Sequence, residues 1–254
     1  TPGPDPDFPR TSEDGMTETM RTYTRLVLAE SEMPLSDIEK ARLFNVFVFS
    51  LPRSGSSMMS NIVQELGVNM IHTSDTPEEL EKRNENERKR YGDEYKMNEG
   101  GFFEITKNVW HHYLRIMATP FSGCKMILPI TPERMSVVEF NPCAKVVMMW
   151  RDPEEMRQSQ QASYNGDKGV TEDEAEAARA VIRTKLVNQK LALEKKGIDT
   201  IHIQYQAVLA DPEKAVRDVA AFLRVEDEEK ILAAIKVVQP EKNRFKKDEL
   251  VESI

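Results

Sequence analysis

The sequence lacks several features that would each point to a different class of protein. No apolar run approaches the ~20 residues needed to cross a membrane. The net charge of −8 argues against a nucleic-acid binder that works by bulk electrostatics. The two cysteines, Cys124 and Cys143, lack the Cys-x-x-Cys spacing of a zinc or redox site. Reduced thiols of this kind are typical of intracellular proteins, so we expect a cytoplasmic location.

The most informative segment is a strand that continues into a serine-rich turn and a helix. Val46–Phe49 is a continuous apolar run, Pro52–Ser57 is the turn, and helical spacing extends over Met58–Leu66. The first amides of such a helix have no intrahelical partner and carry partial positive charge, so the turn can hold an anion. Gly55 would let the backbone approach that anion closely, and Arg53 adds a permanent cation.

The turn lacks the lysine and the glycine spacing of a Walker A loop, GxxxxGK[ST], which disfavours a Mg²⁺-dependent nucleotidase. An ordinary turn whose serines cap the helix is the simpler alternative. A second segment argues against it, because the apolar run 144–150 ends in Arg-Asp-Pro, 98 residues after the arginine of the turn. Asp152 suits an N-cap and Pro153 suits the first helical position. In a parallel sheet, Arg53 and Arg151 would both stand at the carboxyl ends of the strands.

Strands and helices alternate along the chain, which predicts an α/β fold with a central parallel sheet between two layers of helices, a three-layer α/β/α domain. The later predicted elements are strands Lys125–Leu128 and Thr200–Tyr205 and helices 171–196, 211–223 and 226–238. We expect residues 1–15 to form a flexible arm ahead of a single domain, 16–254. Within it, 72–122 is expected to be a helical cap insertion that recognises an acceptor.

Three ordered segments resemble motifs of the sulfotransferases that use 3′-phosphoadenosine 5′-phosphosulfate. Pro52–Ser57 resembles their 5′-phosphosulfate loop, P-[RK]-[ST]-G-[ST]-[ST]. Val147–Pro153, with Ser159 eight residues after its arginine, resembles their 3′-phosphate motif. Tyr205–Leu223 resembles a third segment, whose tyrosine lies near the adenine. Within the family, Gly101–Glu104 resembles the Gly-aromatic-aromatic-Glu segment of the bacterial stand-alone type.

The resemblance implies a sulfotransferase with a P-loop-like phosphosulfate loop, 3′-phosphoadenosine 5′-phosphosulfate as cofactor and no metal. The residues that it implies for the donor site are Arg53, Ser54, Gly55, Ser56 and Ser57 at the 5′ end, Arg151 and Ser159 at the 3′-phosphate, Tyr205 near the adenine, and Arg244 as a further contact. The acceptor would be a hydroxyl or amine of a small molecule. Nucleic acid is not expected as a partner, and a homodimer stays open.

The identity of the catalytic base is where the sequence departs from the family pattern. Lys125 is kept and is either a phosphosulfate contact or simply a strand-end lysine. Ile127 stands where the cytosolic small-molecule enzymes have their catalytic histidine. We favour Glu104, because a carboxylate beside two aromatics can be desolvated and so gain a higher pKa. Its alternative is a solvent-facing or helix-capping role. His111 and His112 are the competing candidates for the base.

Two other functional classes stay open at this point. One is a different P-loop group-transfer enzyme, such as a small-molecule kinase, although it would need a P-loop lysine and a Mg²⁺-binding aspartate. The other is a catalytically inactive protein that keeps the nucleotide-binding fold, because fold alone does not determine activity.

Overall fold

The computed structural model describes residues 44–71, 109–127, 144–164 and 170–239, together with positions 85, 135, 138 and 139. The strands among these residues are β1 (Asn45–Ser50), β2 (Asn69–Met70), β3 (Ser122–Ile127), β4 (Ala144–Trp150) and β5 (Asp199–Gln204). The helices among them are α1 (Ser56–Glu65), α2 (Val109–Ala118), α3 (Pro153–Tyr164), α4 (Glu172–Lys195), α5 (Tyr205–Ala210), α6 (Pro212–Phe222) and α7 (Glu228–Lys236). The predicted arm, 1–15, and most of the predicted cap, 72–122, lie outside the described residues.

The five strands form one parallel sheet in the order β2-β3-β1-β4-β5. β1 is central, and all six of its residues are buried. A strand covered on both faces needs apolar side chains at consecutive positions, which explains the unbroken runs in β1 and β4. Because all strands point the same way, the segments that follow β1, β4 and β5 emerge at one edge of the sheet.

Helices cover both faces of the sheet, which confirms the predicted three-layer α/β/α arrangement. One core contains α1, α5, α6 and α7 with the sheet residues Val46, Val48, Val147 and Met149. The other contains α2, α3 and α4 with Phe47, Phe49, Val146 and Met148. Burying each such side chain is worth about 1.5–3 kcal/mol, so alternate residues of β1 and β4 hold the two helical layers onto one sheet.

The edge of the sheet beyond β1 differs from the sequence-based expectation. β2 is not predicted, because two residues are too few to show a period. β3 begins at Ser122 rather than at Lys125, since the sequence Ser-Gly does not resemble a strand. Gly123 is required there by packing: a Cβ atom on it would lie 1.8 Å from the carbonyl oxygen of Val46. The glycine thus allows β3 to approach β1.

The last part of the predicted cap packs on the sheet. α2 buries Tyr113 and Ile116 in the second core, beside Cys124 of β3. The side chain of Asn45 fixes the turn that follows, since its amide donates to the carbonyls of Ile116 and Thr119, at 2.8 and 3.1 Å. Tyr113 and Ile116 of α2 therefore help to cover one face of the sheet.

An ionic network joins α3 to α4 at the side of the domain. Arg179 of α4 donates to the carboxylate of Glu154 at 2.8 Å, and Arg157 of α3 donates to it at 2.9 Å. The hydrogen bond from Arg157 is the main cause that lowers the pKa of Glu154 from 4.5 to about 2. The network holds the helix that carries Ser159 against the long helix α4.

We predict that Glu154→Gln lowers the free energy of unfolding by about 1 kcal/mol at pH 7, a value kept small by solvent screening of a partly exposed pair. A depressed carboxyl pKa stabilises the folded state above the unfolded value and loses this effect as the pH falls through the folded value. The difference between wild type and variant should therefore shrink between pH 4.5 and about 2. Denaturant titrations across this range measure it.

Glu194→Gln is the matched control, because Glu194 lies on α4, the other helix of the network, and pairs with a lysine, Lys190, with both side chains exposed. It should change stability little at any of these pH values. A Glu154→Gln effect that stays constant down to pH 2 would contradict the assigned network.

Candidate functional site

The loop between β1 and α1 has an unusual backbone conformation. Arg53 has a φ of 70° and Gly55 a φ of 87°, both in the left-handed region. Segments in which left-handed residues alternate with other backbone conformations form concavities of backbone amides that bind anions. α1 then begins at Ser56 without a side-chain cap, and its first turn contains no acidic residue. The partial positive charge of the helix start is thus kept at the loop.

Not every serine hydroxyl of the loop is available to a ligand. Ser54 is fully buried, and its hydroxyl donates to the carbonyl of Leu51 at 2.8 Å. This side chain therefore stabilises the turn. The hydroxyl of Ser57 accepts a hydrogen bond from Lys125 at 3.2 Å.

Lys125 brings a cation from the neighbouring strand β3. Its register partner on β1 is Val48, and the side chain is buried, with Nζ directed to Ser57 at the start of α1. The sequence predicts Lys125 as a phosphosulfate contact, and the structure places it beside the loop that would hold that group.

Arg151 connects β4 to the loop after β1. It follows the last residue of β4 and is buried, and its Nη1 donates to the main-chain carbonyl of Arg53 at 3.0 Å. Its Nε donates to Glu155 at 2.9 Å, one turn along α3. The guanidinium also lies over the ring of Tyr205, 4.3 Å from the ring centroid. One side chain thus contacts all three motif segments.

Arg53 and Ser159 are in direct contact. Arg53 Nε donates to the hydroxyl of Ser159 at 2.9 Å, and Gln160 donates to the carbonyl of Pro52 at 3.1 Å. The sequence predicts Arg53 at the 5′ end of the donor and Ser159 at its 3′-phosphate. Their contact makes the two predicted subsites contiguous, with the first turns of α3 packed against the loop.

Tyr205 packs on the loop and explains why residue 55 is a glycine. A Cβ atom on Gly55 would lie 2.3 Å from Cδ2 of Tyr205, far inside van der Waals contact. Burial raises the pKa of the Tyr205 phenol, with Arg151 acting in the opposite direction, so the group is neutral near pH 7. Tyr205 is also the first residue of α5, which places it at the carboxyl end of β5.

The candidate bases are located only in part. Glu104, like Arg244, lies outside the described residues, so both stay predictions. His111 and His112 belong to the start of α2, and His112 is half-buried there. Glu104, His111 and His112 therefore stay the three candidate bases.

Three residues at the site are not predicted from the sequence: Glu155, Gln160 and Gln206. Glu155 could have been found, because it stands four positions after Arg151 at the start of a predicted helix, the spacing of a helical ion pair. Gln160 and Gln206 have no comparable signal, since each contact depends on how separate elements pack.

The described residues contain no group of three or more His, Cys, Asp or Glu side chains that could hold a metal ion. None of the described helices has the length and apolar character needed to span a membrane.

Neither protein-family models nor curated proteins give a match to the chain. Among solved structures, it is similar to mouse sulfotransferase SULT7A1 complexed with PAP, at 16% identity and a TM-score of 0.47, over 82% of this chain and 70% of that one. It is also similar to the sulfotransferase domain of the Synechococcus PCC 7002 olefin synthase, at 15% identity and a TM-score of 0.45, over 74% of this chain and 76% of that one. A third is retinol dehydratase in a complex with retinol and PAP, at 17% identity and a TM-score of 0.43, over 82% of this chain and 70% of that one.

We predict that Gly55→Ala lowers the free energy of unfolding by about 3 kcal/mol, because it combines a left-handed backbone strain with overpacking against Tyr205. Gly197→Ala is the matched control: its φ is 64°, but nothing lies within 4 Å of the added Cβ. It should cost only about 1 kcal/mol. Chemical denaturation measures both, and equal losses would show that Tyr205 does not restrict residue 55.

Proposed function

We propose that the chain is a sulfotransferase that moves a sulfuryl group from 3′-phosphoadenosine 5′-phosphosulfate to a hydroxyl or amine of a small-molecule acceptor. The observation that carries this proposal is the convergence of Arg53, Arg151, Ser159 and Tyr205 at the carboxyl ends of three adjacent strands. These are the residues that the three sequence motifs single out.

The chemistry of the site fits a ligand with several anionic groups. Arg53, Lys125 and Arg151 bring cations to the start of α1, where amides and the helix dipole also favour negative charge. The chain as a whole has a net charge of −8, so this positive potential is local to the loop. Tyr205 occupies the side of Gly55 where a Cβ would lie, so the glycine lets the loop and the ring pack closely together.

The donor would supply an activated sulfuryl group: the acceptor oxygen bonds to sulfur while the sulfur bond to the bridging phosphate oxygen breaks, and the electron pair leaves with the phosphate. Arg53 and Lys125, which contact Ser159 and Ser57, would stabilise the negative charge that develops at the loop and so would lower the barrier. Arg151 and Ser159 would hold the 3′-phosphate. A base must take the acceptor's proton, and Glu104 is the favoured candidate over His111 and His112.

Titration calorimetry with 3′-phosphoadenosine 5′-phosphate, against ATP with Mg²⁺, tests the donor site. We expect the bisphosphate to bind wild type tightly, and Arg53→Ala to weaken it by at least about tenfold through loss of a charged hydrogen bond. Arg157→Ala is the matched control, because that arginine lies on α3 and pairs with Glu154. It should bind as wild type does.

If the wild type does not bind the bisphosphate, the sulfotransferase proposal is refuted. Binding of ATP with Mg²⁺ in its place would favour the small-molecule kinase. Tight bisphosphate binding without sulfuryl transfer to any of a panel of phenols, alcohols and amines would favour the inactive nucleotide-binding protein.

The two buried lysines beside β1 provide a second test. Lys125 contacts the loop through Ser57, whereas Lys145 pairs with Asp199 and lies over the ring of Phe222 at 4.7 Å. We expect Lys125→Met to weaken bisphosphate binding about tenfold, since it removes a charged donor at the phosphate loop. Lys145→Met removes an equally buried lysine away from the loop and should leave binding unchanged. Equal effects would mean that Lys125 acts only through the stability of the sheet.

A further inference from the structure

A single carboxylate oxygen at the start of α3 accepts two hydrogen bonds from different parts of the chain. Glu155 Oε2 accepts from Nε of Arg151 at 2.9 Å and from Nε2 of Gln206 at 2.7 Å. Glu155 is 8% exposed and Arg151 7% exposed. A buried carboxylate has few alternative partners, so these two bonds fix where its oxygen lies.

The same two bonds fix the orientation of the Arg151 guanidinium. With Nε held by Glu155, Nη1 reaches the carbonyl of Arg53 at 3.0 Å, and the plane of the group lies over Tyr205. Gln206 follows Tyr205 directly, so the start of α5 supplies both the ring under the guanidinium and the amide that anchors its carboxylate partner.

The hydrogen bond from Gln206 matters because the ion pair of Arg151 and Glu155 borders open space. A cavity of about 490 Å³ lies beside it, lined among others by Trp150, Arg151, Glu155 and Gln206. An ion pair at the wall of a cavity can adopt other rotamers unless a further bond holds it, and the bond from Gln206 serves this purpose.

We propose that Glu155, anchored by Gln206, is a positioning residue that orients Arg151 toward the 3′-phosphate of the nucleotide and so sets the preference for 3′-phosphorylated nucleotides. This inference rests on the proposed function. Glu155 itself does not touch the ligand. Its effect is transmitted through the direction in which Arg151 presents its N–H groups.

A carboxylate next to an arginine can influence phosphate binding in two ways that have opposite signs. If Glu155 mainly reduced the positive charge, its removal would strengthen binding of the 3′-phosphate. If it orients Arg151, removal of the accepting oxygen weakens binding, whereas an amide oxygen in the same place preserves it. The two possibilities are therefore separable by substitution.

The measurement is the ratio of affinities for 3′-phosphoadenosine 5′-phosphate and adenosine 5′-phosphate, obtained by calorimetry on the full chain. Glu155→Leu removes the acceptor, and we expect the ratio to fall about tenfold, because the charged bond that directs Arg151 is lost. Glu155→Gln keeps an acceptor oxygen, and the ratio should stay within about twofold of the wild type. Binding of adenosine 5′-phosphate should weaken less than binding of the bisphosphate in Glu155→Leu and should stay unchanged in Glu155→Gln.

Glu154→Leu is the matched control, because the neighbouring carboxylate pairs with Arg157 and Arg179 instead of Arg151. Its ratio should equal that of the wild type. Gln206→Leu removes only the anchor and should lower the ratio about threefold, which decides the matter if Glu155→Leu does not fold.

Several outcomes would overturn the inference while leaving the proposed function intact. A wild type that prefers the bisphosphate, combined with an unchanged or increased ratio in Glu155→Leu, would show that the carboxylate does not orient Arg151. Equal weakening of both nucleotides would assign Glu155 a purely structural role. An unchanged ratio in Gln206→Leu would show that Gln206 does not anchor the carboxylate and would overturn that part of the inference. By contrast, a wild type that binds neither nucleotide refutes the proposed function itself.

Discussion

The hydrogen bond from Arg151 to the main-chain carbonyl of Arg53 is the contact on which the site depends. It joins the end of β4 to the loop after β1, and these strands are neighbours in the sheet. A charged donor on a partly buried carbonyl is among the stronger hydrogen bonds in proteins, and its loss would remove the partner that satisfies this carbonyl. The bond thus helps to hold Arg53 in a left-handed conformation that a non-glycine residue rarely adopts.

Some residues around this bond supply charge to the site, and others determine the shape of the loop. Arg53, Lys125 and Arg151 supply positive charge, whereas Gly55 and Tyr205 pack closely together and fix the shape of the loop. The hydroxyl of Ser54 is used within the turn. Residues that look equivalent in a serine-rich motif therefore have different physical roles, because only some of their side chains can reach past the loop.

The sequence was sufficient to predict the fold class and the meeting of the three motif segments. Both follow from periodicity and from the rule that the carboxyl ends of parallel strands share an edge. The sequence was not sufficient to predict the hydrogen bond of Gln206, the contact between Gly55 and Tyr205, or the two-residue strand β2. These depend on the packing of distant elements, which no local pattern records. The choice among Glu104, His111 and His112 stays a prediction for the same reason.

The residues around Arg151 come from segments far apart in the chain: 98 residues separate it from Arg53, and 51 separate Glu155 from Gln206. No single supersecondary unit contains the site, so it exists only when β1, β4 and β5 are all docked. A ligand bound there interacts with the native state and not with partly assembled chains. By linkage, its binding energy stabilises the whole sheet, and occupancy at a hundred times the dissociation constant adds about 2.7 kcal/mol to the free energy of unfolding.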